Sequence, residues 1–128
     1  SPSAEPRPAA HFLTTAAVLG ALAVAAGAFG AHGLKARVSP EDLEIWRTAA
    51  HYHLLHAAVL LAISLAPHAD SKARRRSALL FIVGIFIFAG TLYAIPLGGP
   101  RWLGAITPLG GLSFIAGWLS LLAKPDQA

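Results

Sequence analysis

Histidine is the residue type here whose number and spacing could do chemistry. His51, His53 and His56 fall within six residues, and His32 precedes them on the other side of a short connecting stretch. Neutral imidazole is a common metal ligand and titrates near neutral pH, so such a cluster could bind a transition metal or haem, or exchange protons. On a helix, His53 and His56 are three apart and share a face, as do Tyr52 and His56 at a spacing of four. His51 lies about 200° round from His53 at 100° per residue and points elsewhere. The constellation is therefore His32 with Tyr52, His53 and His56, and its metal set would be His32, His53 and His56. The competing use is structural. In a dry bundle a histidine ring donates one N–H and accepts at its other nitrogen, pinning two helices together. No carboxylate is placed to complete a ligand set or to orient a ligating ring, and the chain has no Cys or Met to offer copper. The structural use, with no cofactor, leads. Metal or haem binding comes second, and proton or small-molecule handling third.

Other chemistries lack their residues. All six carboxylates lie outside the apolar runs described next, whereas a proton relay or ion site in a membrane calls for an acid within a span. There is no phosphate loop of the Walker type, no Gly-x-Ser-x-Gly and no His-Glu-x-x-His. The spacing of Gly27, Gly30 and Gly33 follows no strand and carries no nucleotide signal. The absence of cysteine removes disulfides, thiolate metal sites and thiol nucleophiles. The reading is a non-enzymatic protein.

The elements that must carry these histidines are four long apolar runs. Hydrophobic residues make up 55% of the 128 residues and charged residues 12%, against about 25% charged in soluble domains; the mean hydropathy is +0.60. About 20 residues cross a ~30 Å hydrocarbon core, and each run is that long. The expected spans are Phe12–Ala31, Thr48–Ala66, Ser77–Leu97 and Trp102–Ala123, flanked by tails at 1–11 and 124–128. The first run resembles a signal sequence at Ala26–Ala28, but it is longer than a typical signal core and reads as an uncleaved helix. It is rich in Ala and Gly. Small residues recur four apart at Ala16 and Gly20 and at Ala23, Gly27 and Ala31, a pattern that lets helices approach closely. That places the first helix inside the bundle, with Gly27, Gly30 and Gly33 at a tight crossing.

Ser39-Pro40-Glu41-Asp42 is a helix start, with a capping Ser, a Pro in the first turn and acids at the positive end of the dipole. Residues 41–47 read as an amphipathic stretch at the membrane interface, leading into the second span, which Pro67 ends. The third span, dense in Phe, Ile and Leu, reads as broadly lipid-exposed. In the fourth, Pro108 lies in the first turns, and Gly110 and Gly111 permit close packing against the first helix. Trp102, Trp118 and Tyr93 read as interface or packing aromatics, and His11 and His68 as interfacial.

The net charge of +4 fits basic loops that meet anionic headgroups. With no soluble basic face left, nucleic acid is not an expected partner. Arg7, Lys72, Arg74, Arg75, Arg76 and Lys124 would share one side, and Lys35, Arg37, Arg47 and Arg101 the other. The larger, denser set favours both termini in the cytoplasm.

Four stretches together resemble the "domain of unknown function 423" family. Residues Gly27 to Leu34, reading Gly-Ala-Phe-Gly-Ala-His-Gly-Leu, look like its signature. Residues 48–57 are similar to its second-helix motif, matching at Tyr52 and His56. Residues 106–111, with Thr107, Pro108, Gly110 and Gly111, resemble its fourth-helix motif, and Gly117-Trp118 the pair that follows. The resemblance covers about residues 12–122. The family usually carries Gln where this chain has His53, and His51 is not a motif position, which favours a shared Tyr/His packing network over a three-histidine site. The family consists of small bacterial inner-membrane proteins with a eukaryotic relative. It implies a four-helix integral membrane protein and no activity.

The sequence thus predicts an all-α four-helix transmembrane bundle in a bacterial inner membrane. Its partners would be the lipid bilayer and other membrane subunits or copies of itself. The leading role is a structural or accessory subunit; a histidine-based metal or haem protein and a small transporter or channel component are the alternatives.

Overall fold

The computed structural model describes residues 10–124, and these form helices joined by short turns, with no strand among them. Of the expected tails at 1–11 and 124–128, residues 1–9 and 125–128 lie outside the described residues, while Ala10 and His11 belong to the first helix. Four helical stretches are long and apolar enough to cross a membrane: Ala10–Leu34, Pro40–Leu65, Lys72–Ala94 and Arg101–Ser120. They constitute the expected four-helix bundle. Three of the four depart from a single regular α-helix. The first is α1 (Ala10–Phe29), which continues as a π-helical turn over Gly30–Leu34. The second is α2 (Pro40–Leu65), unbroken for 26 residues. The third is α3 (Lys72–Gly84), a π-helical segment at Ile85–Ala89, and α4 (Gly90–Ala94). The fourth opens with a 3-10 turn, Arg101–Ala105, followed by α5 (Thr107–Ser120).

Local chemistry sets the boundaries. The Ser39 side chain accepts from the Asp42 amide at 3.1 Å with Pro40 as the first helical residue, the expected start. α2 ends at Ala66, whose extended backbone is what a residue before proline must adopt. Ser71 caps α3 by accepting from the Arg74 amide. Thr107 and Pro108 begin α5, so the missing proline N–H falls among the donors that a first turn leaves unbonded anyway.

α2 is the hub. Trp46, Ala49, His53, His56, Leu60 and Ile63 are buried along it; it packs against α1 on one side and the third span on the other, and reaches the fourth span through side chains, His56 against Phe114 and Trp118. Here the expectation for the first helix is corrected. α1 packs chiefly on α2 and lies at the edge of the bundle. Only a narrow stripe, Phe12, Ala16, Leu19 and Ala23, is buried, and Val24 is 61% exposed. Small residues did not draw the helix inward, because a side chain without volume also offers little surface to several neighbours at once. The third span is more central than its composition suggests. Phe81 is 0% exposed and Ile85 is buried, while Leu79, Val83 and Phe86 turn outward. The fourth span packs on this third helix, not on the first. A Cβ on Gly110 would run into the Phe88 backbone, so the two helices meet backbone to backbone where the third span widens into its π-helical segment.

Polar contacts at the rims complete the frame. At one end Arg101 and Asp42 form an ion pair, Nη1 to Oδ1 at 2.8 Å, and Nη2 donates to Oδ2 at 3.1 Å. The Oδ1 contact is off-line for a hydrogen bond, so it is ionic in character. At the other end Arg74 donates to the carbonyls of Leu121 and Ala123, beyond the last turn of α5.

Candidate functional site

Because α2 is one continuous helix from Pro40, the histidines sit midway along it, not at the start of a span as expected from the sequence. Residues seven apart return to nearly the same face. Trp46, His53 and Leu60 therefore form one buried row, and Ala49, His56 and Ile63 a second. The two histidines serve different neighbours.

His56 is 2% exposed. Its Nδ1 lies 2.8 Å from the Tyr52 carbonyl, one turn earlier in α2. A carbonyl can only accept, so Nδ1 carries the proton. The other nitrogen, Nε2, is then an acceptor, and the Trp118 indole N–H of α5 donates to it at 3.1 Å. Both nitrogens of a neutral ring are satisfied, and the tautomer follows from the partners. The Phe114 ring stacks on the imidazole, with centroids 3.7 Å apart and planes 9° from parallel. Phe81 and Trp118 approach at steeper angles. Tyr52, 39% exposed, lies over Phe88 on the outer side. Tyr52, His56, Phe114 and Trp118 line a shallow outward cleft of about 330 Å³.

His53 is 5% exposed and faces the other way, toward α1 and α4. Its Nδ1 is 2.8 Å from the Tyr93 hydroxyl. Its Nε2 is buried without a hydrogen-bond partner among the described residues. The Tyr93 hydroxyl can donate to Nδ1 or accept from it, so this contact, unlike those of His56, does not set the tautomer. Tyr93 packs on Trp46, and the Trp46 indole donates to the Ala26 carbonyl of α1 at 2.8 Å. Trp46 lies where a Cβ on Gly30 would fall, 2.6 Å from its Cδ1. Gly30 is therefore the glycine that lets α1 and α2 approach.

The remaining sequence candidates divide. His32 is exposed on the π-helical turn and does not join His53 and His56. Among the described residues no three His, Cys, Asp or Glu side chains are grouped to hold a metal. The set His32, His53 and His56 is thus not assembled: the turn between the first two helices aims His32 outward while α2 aims the other two inward. His56 also has no free nitrogen unless Trp118 is displaced. Gly27 is exposed and faces open space, contrary to its expected place at a crossing; Gly33 packs under Phe29 in its own helix. Thr107 is buried, its hydroxyl 2.6 Å from that of Thr91. Thr91 can donate to the Ile87 carbonyl at 2.7 Å and Thr107 to the Leu103 carbonyl at 3.2 Å, and either hydroxyl can supply the proton between them. Gly111 is half-buried beside Phe88.

Trp46 and Tyr93 are the residues the sequence reading did not put in the network. The spacing of seven between Trp46 and His53 was the available signal. Dividing α2 into an interfacial stretch and a span hid it. A buried indole or phenol also needs a partner for its polar atom, which makes each a candidate for pairing with a histidine.

The family described as "Protein of unknown function (DUF423)" matches residues 26–111. A UPF0382 membrane protein of Staphylococcus haemolyticus is 39% identical over 111 residues, covering 87% of this chain and 91% of its own length. The UPF0382 membrane protein YwdK of Bacillus subtilis is 37% identical, with 87% and 92% covered. A UPF0382 membrane protein of Schizosaccharomyces pombe is 42% identical, with 84% and 94% covered. No solved structure matches the chain.

Proposed function

The chain belongs to the DUF423 family of membrane proteins, whose function is unassigned, and from that premise we propose that it acts as a non-enzymatic accessory subunit of a membrane assembly. The membrane would be a bacterial inner membrane, with both ends of the chain on the cytoplasmic side. The observation that carries the reading is the position of α1. This helix packs chiefly on α2 and turns a face of small residues, Ala17, Ala21, Ala25 and Ala28, outward beside Val24. Small side chains on such a face give lipid little to grip and allow another helix to approach closely. The histidine network supports the same reading. His56 spends both nitrogens on its own bundle, which makes it a fastener between helices and leaves it no reactive group to present.

The test is native mass spectrometry of the untagged protein, extracted gently from its own membrane. A cofactor-free mass that includes a different protein is the expected result. A mass explained by this chain with metal or haem, or by copies of this chain alone, would overturn the accessory role.

A further inference from the structure

One face of α3 combines charge and apolar surface in the proportions of a single lipid. Lys72, Arg75 and Arg76 are exposed, and with Leu79, Leu80 and Val83 they line a groove of about 390 Å³. Spacings of three, four, seven and eleven put Lys72, the two arginines, Leu79 and Val83 in one row along the helix. The charged end lies at the start of the third span and the apolar end well inside it. From Lys72 to Val83 the rise is about 16 Å at 1.5 Å per residue, close to half of a ~30 Å hydrocarbon core. The row therefore runs from headgroup level to about the bilayer midplane. Asp70 is the one acid between Ala66 and Gly84, against four cations.

The fourth cation separates an internal role from an outward one. Arg74 is half-buried and reaches the carbonyls of Leu121 and Ala123 at the end of α5. Lys72, Arg75 and Arg76 lie on the outer side of the same helix, over the groove. We propose that this groove binds one anionic phospholipid, with its phosphate held among Lys72, Arg75 and Arg76 and an acyl chain lying along Leu79, Leu80 and Val83. Charge complementarity selects the headgroup, and the length of the apolar row selects a lipid over a soluble phosphate. A zwitterionic lipid satisfies the apolar row but brings its own cation to the basic end.

The experiment is a lipid titration of the full-length, delipidated protein in mild detergent, read as bound-lipid mass by native mass spectrometry. Phosphatidylglycerol and phosphatidylcholine with identical chains are compared. The parent is expected to hold one phosphatidylglycerol at least tenfold more tightly than phosphatidylcholine. The triple variant Lys72→Gln, Arg75→Gln, Arg76→Gln should lose that preference. A cation near an anionic surface contributes about 1 kcal/mol, close to a fivefold factor, so three correspond to a loss on the order of a hundredfold. Arg74→Gln should keep the preference while melting at lower temperature. Equal retention of the two lipids, an unchanged preference in the triple variant, or displacement of phosphatidylglycerol by millimolar inorganic phosphate would each overturn the proposal. Because the three substituted side chains are exposed, unchanged melting of the triple variant is the check that it is folded.

Discussion

His56 joins α2 to α5 through a donor and an acceptor whose roles are fixed by their partners. A His56→Ala, Trp118→Phe double-mutant cycle isolates that bond. The expected coupling is about 0.6 kcal/mol and at most about 1.7, the range for hydrogen bonds between membrane helices, measured by reversible unfolding in detergent. A coupling of zero would show that the indole and imidazole only pack. Exposed His32 serves as the contrast, and His32→Ala should stay within about 0.5 kcal/mol of the parent. At His53 the bond to the Tyr93 hydroxyl is the contact to preserve. His53→Gln retains a polar partner for that hydroxyl and should melt near the parent. His53→Leu strands the phenol and should cost about 1–3 kcal/mol. Equal melting of the two variants would mean that Tyr93 finds another partner.

Gly27 and Gly30, two of the four glycines on the first span, part company at the scale of the helix pair. Gly30 lies under Trp46, whereas Gly27 faces open space. Gly30→Leu forces Trp46 aside and breaks its bond to Ala26, and should destabilise by about 1–3 kcal/mol as overpacking does. Gly27→Leu should fold and melt like the parent. Thermal melting of both variants in detergent checks this, and the reverse order would place α1 the other way round on α2. The third and fourth spans make the same use of a missing side chain. Gly110 meets the Phe88 backbone beside the π-helical segment, and the extra residue in that turn shifts the face that α5 meets. The pattern four apart on α1 was legible in the sequence. Which members of it meet α2 was not, because a step of one residue turns a helix by 100° and moves a glycine from contact to the outside.

Across the whole molecule, packing is uneven. α2 is bounded on both sides, and α1 is held mainly along one stripe and by the Trp46 bond to Ala26. Local opening follows such differences in contact. Trp46→Ala should therefore raise amide hydrogen exchange across residues 10–34 while α3 and α5 keep their protection. Uniform loss of protection would mean that the bundle opens as one unit. The outward α1 face and the basic row on α3 lie on different helices, so the proposed partner contact and the proposed lipid site can be tested by separate substitutions.

The amino-acid sequence alone set the solvent and the scaffold. Apolar runs of about 20 residues allow no other structure in lipid than helices that satisfy their own backbone. The capped start at Ser39 and the stop before Pro67 were equally local and could be read directly. It also identified His56, Tyr52 and Trp118 as residues of interest, but not as partners. Tertiary structure alone decided that His32 faces outward, that His56 pairs with Trp118 and His53 with Tyr93, and that α5 packs on the third span instead of the first. The physical reason is that helix periodicity says which residues share a face and nothing about what that face meets. Partner choice depends on how four cylinders rotate and cross, and it is settled by close contacts such as Trp46 on Gly30 and Phe88 on Gly110.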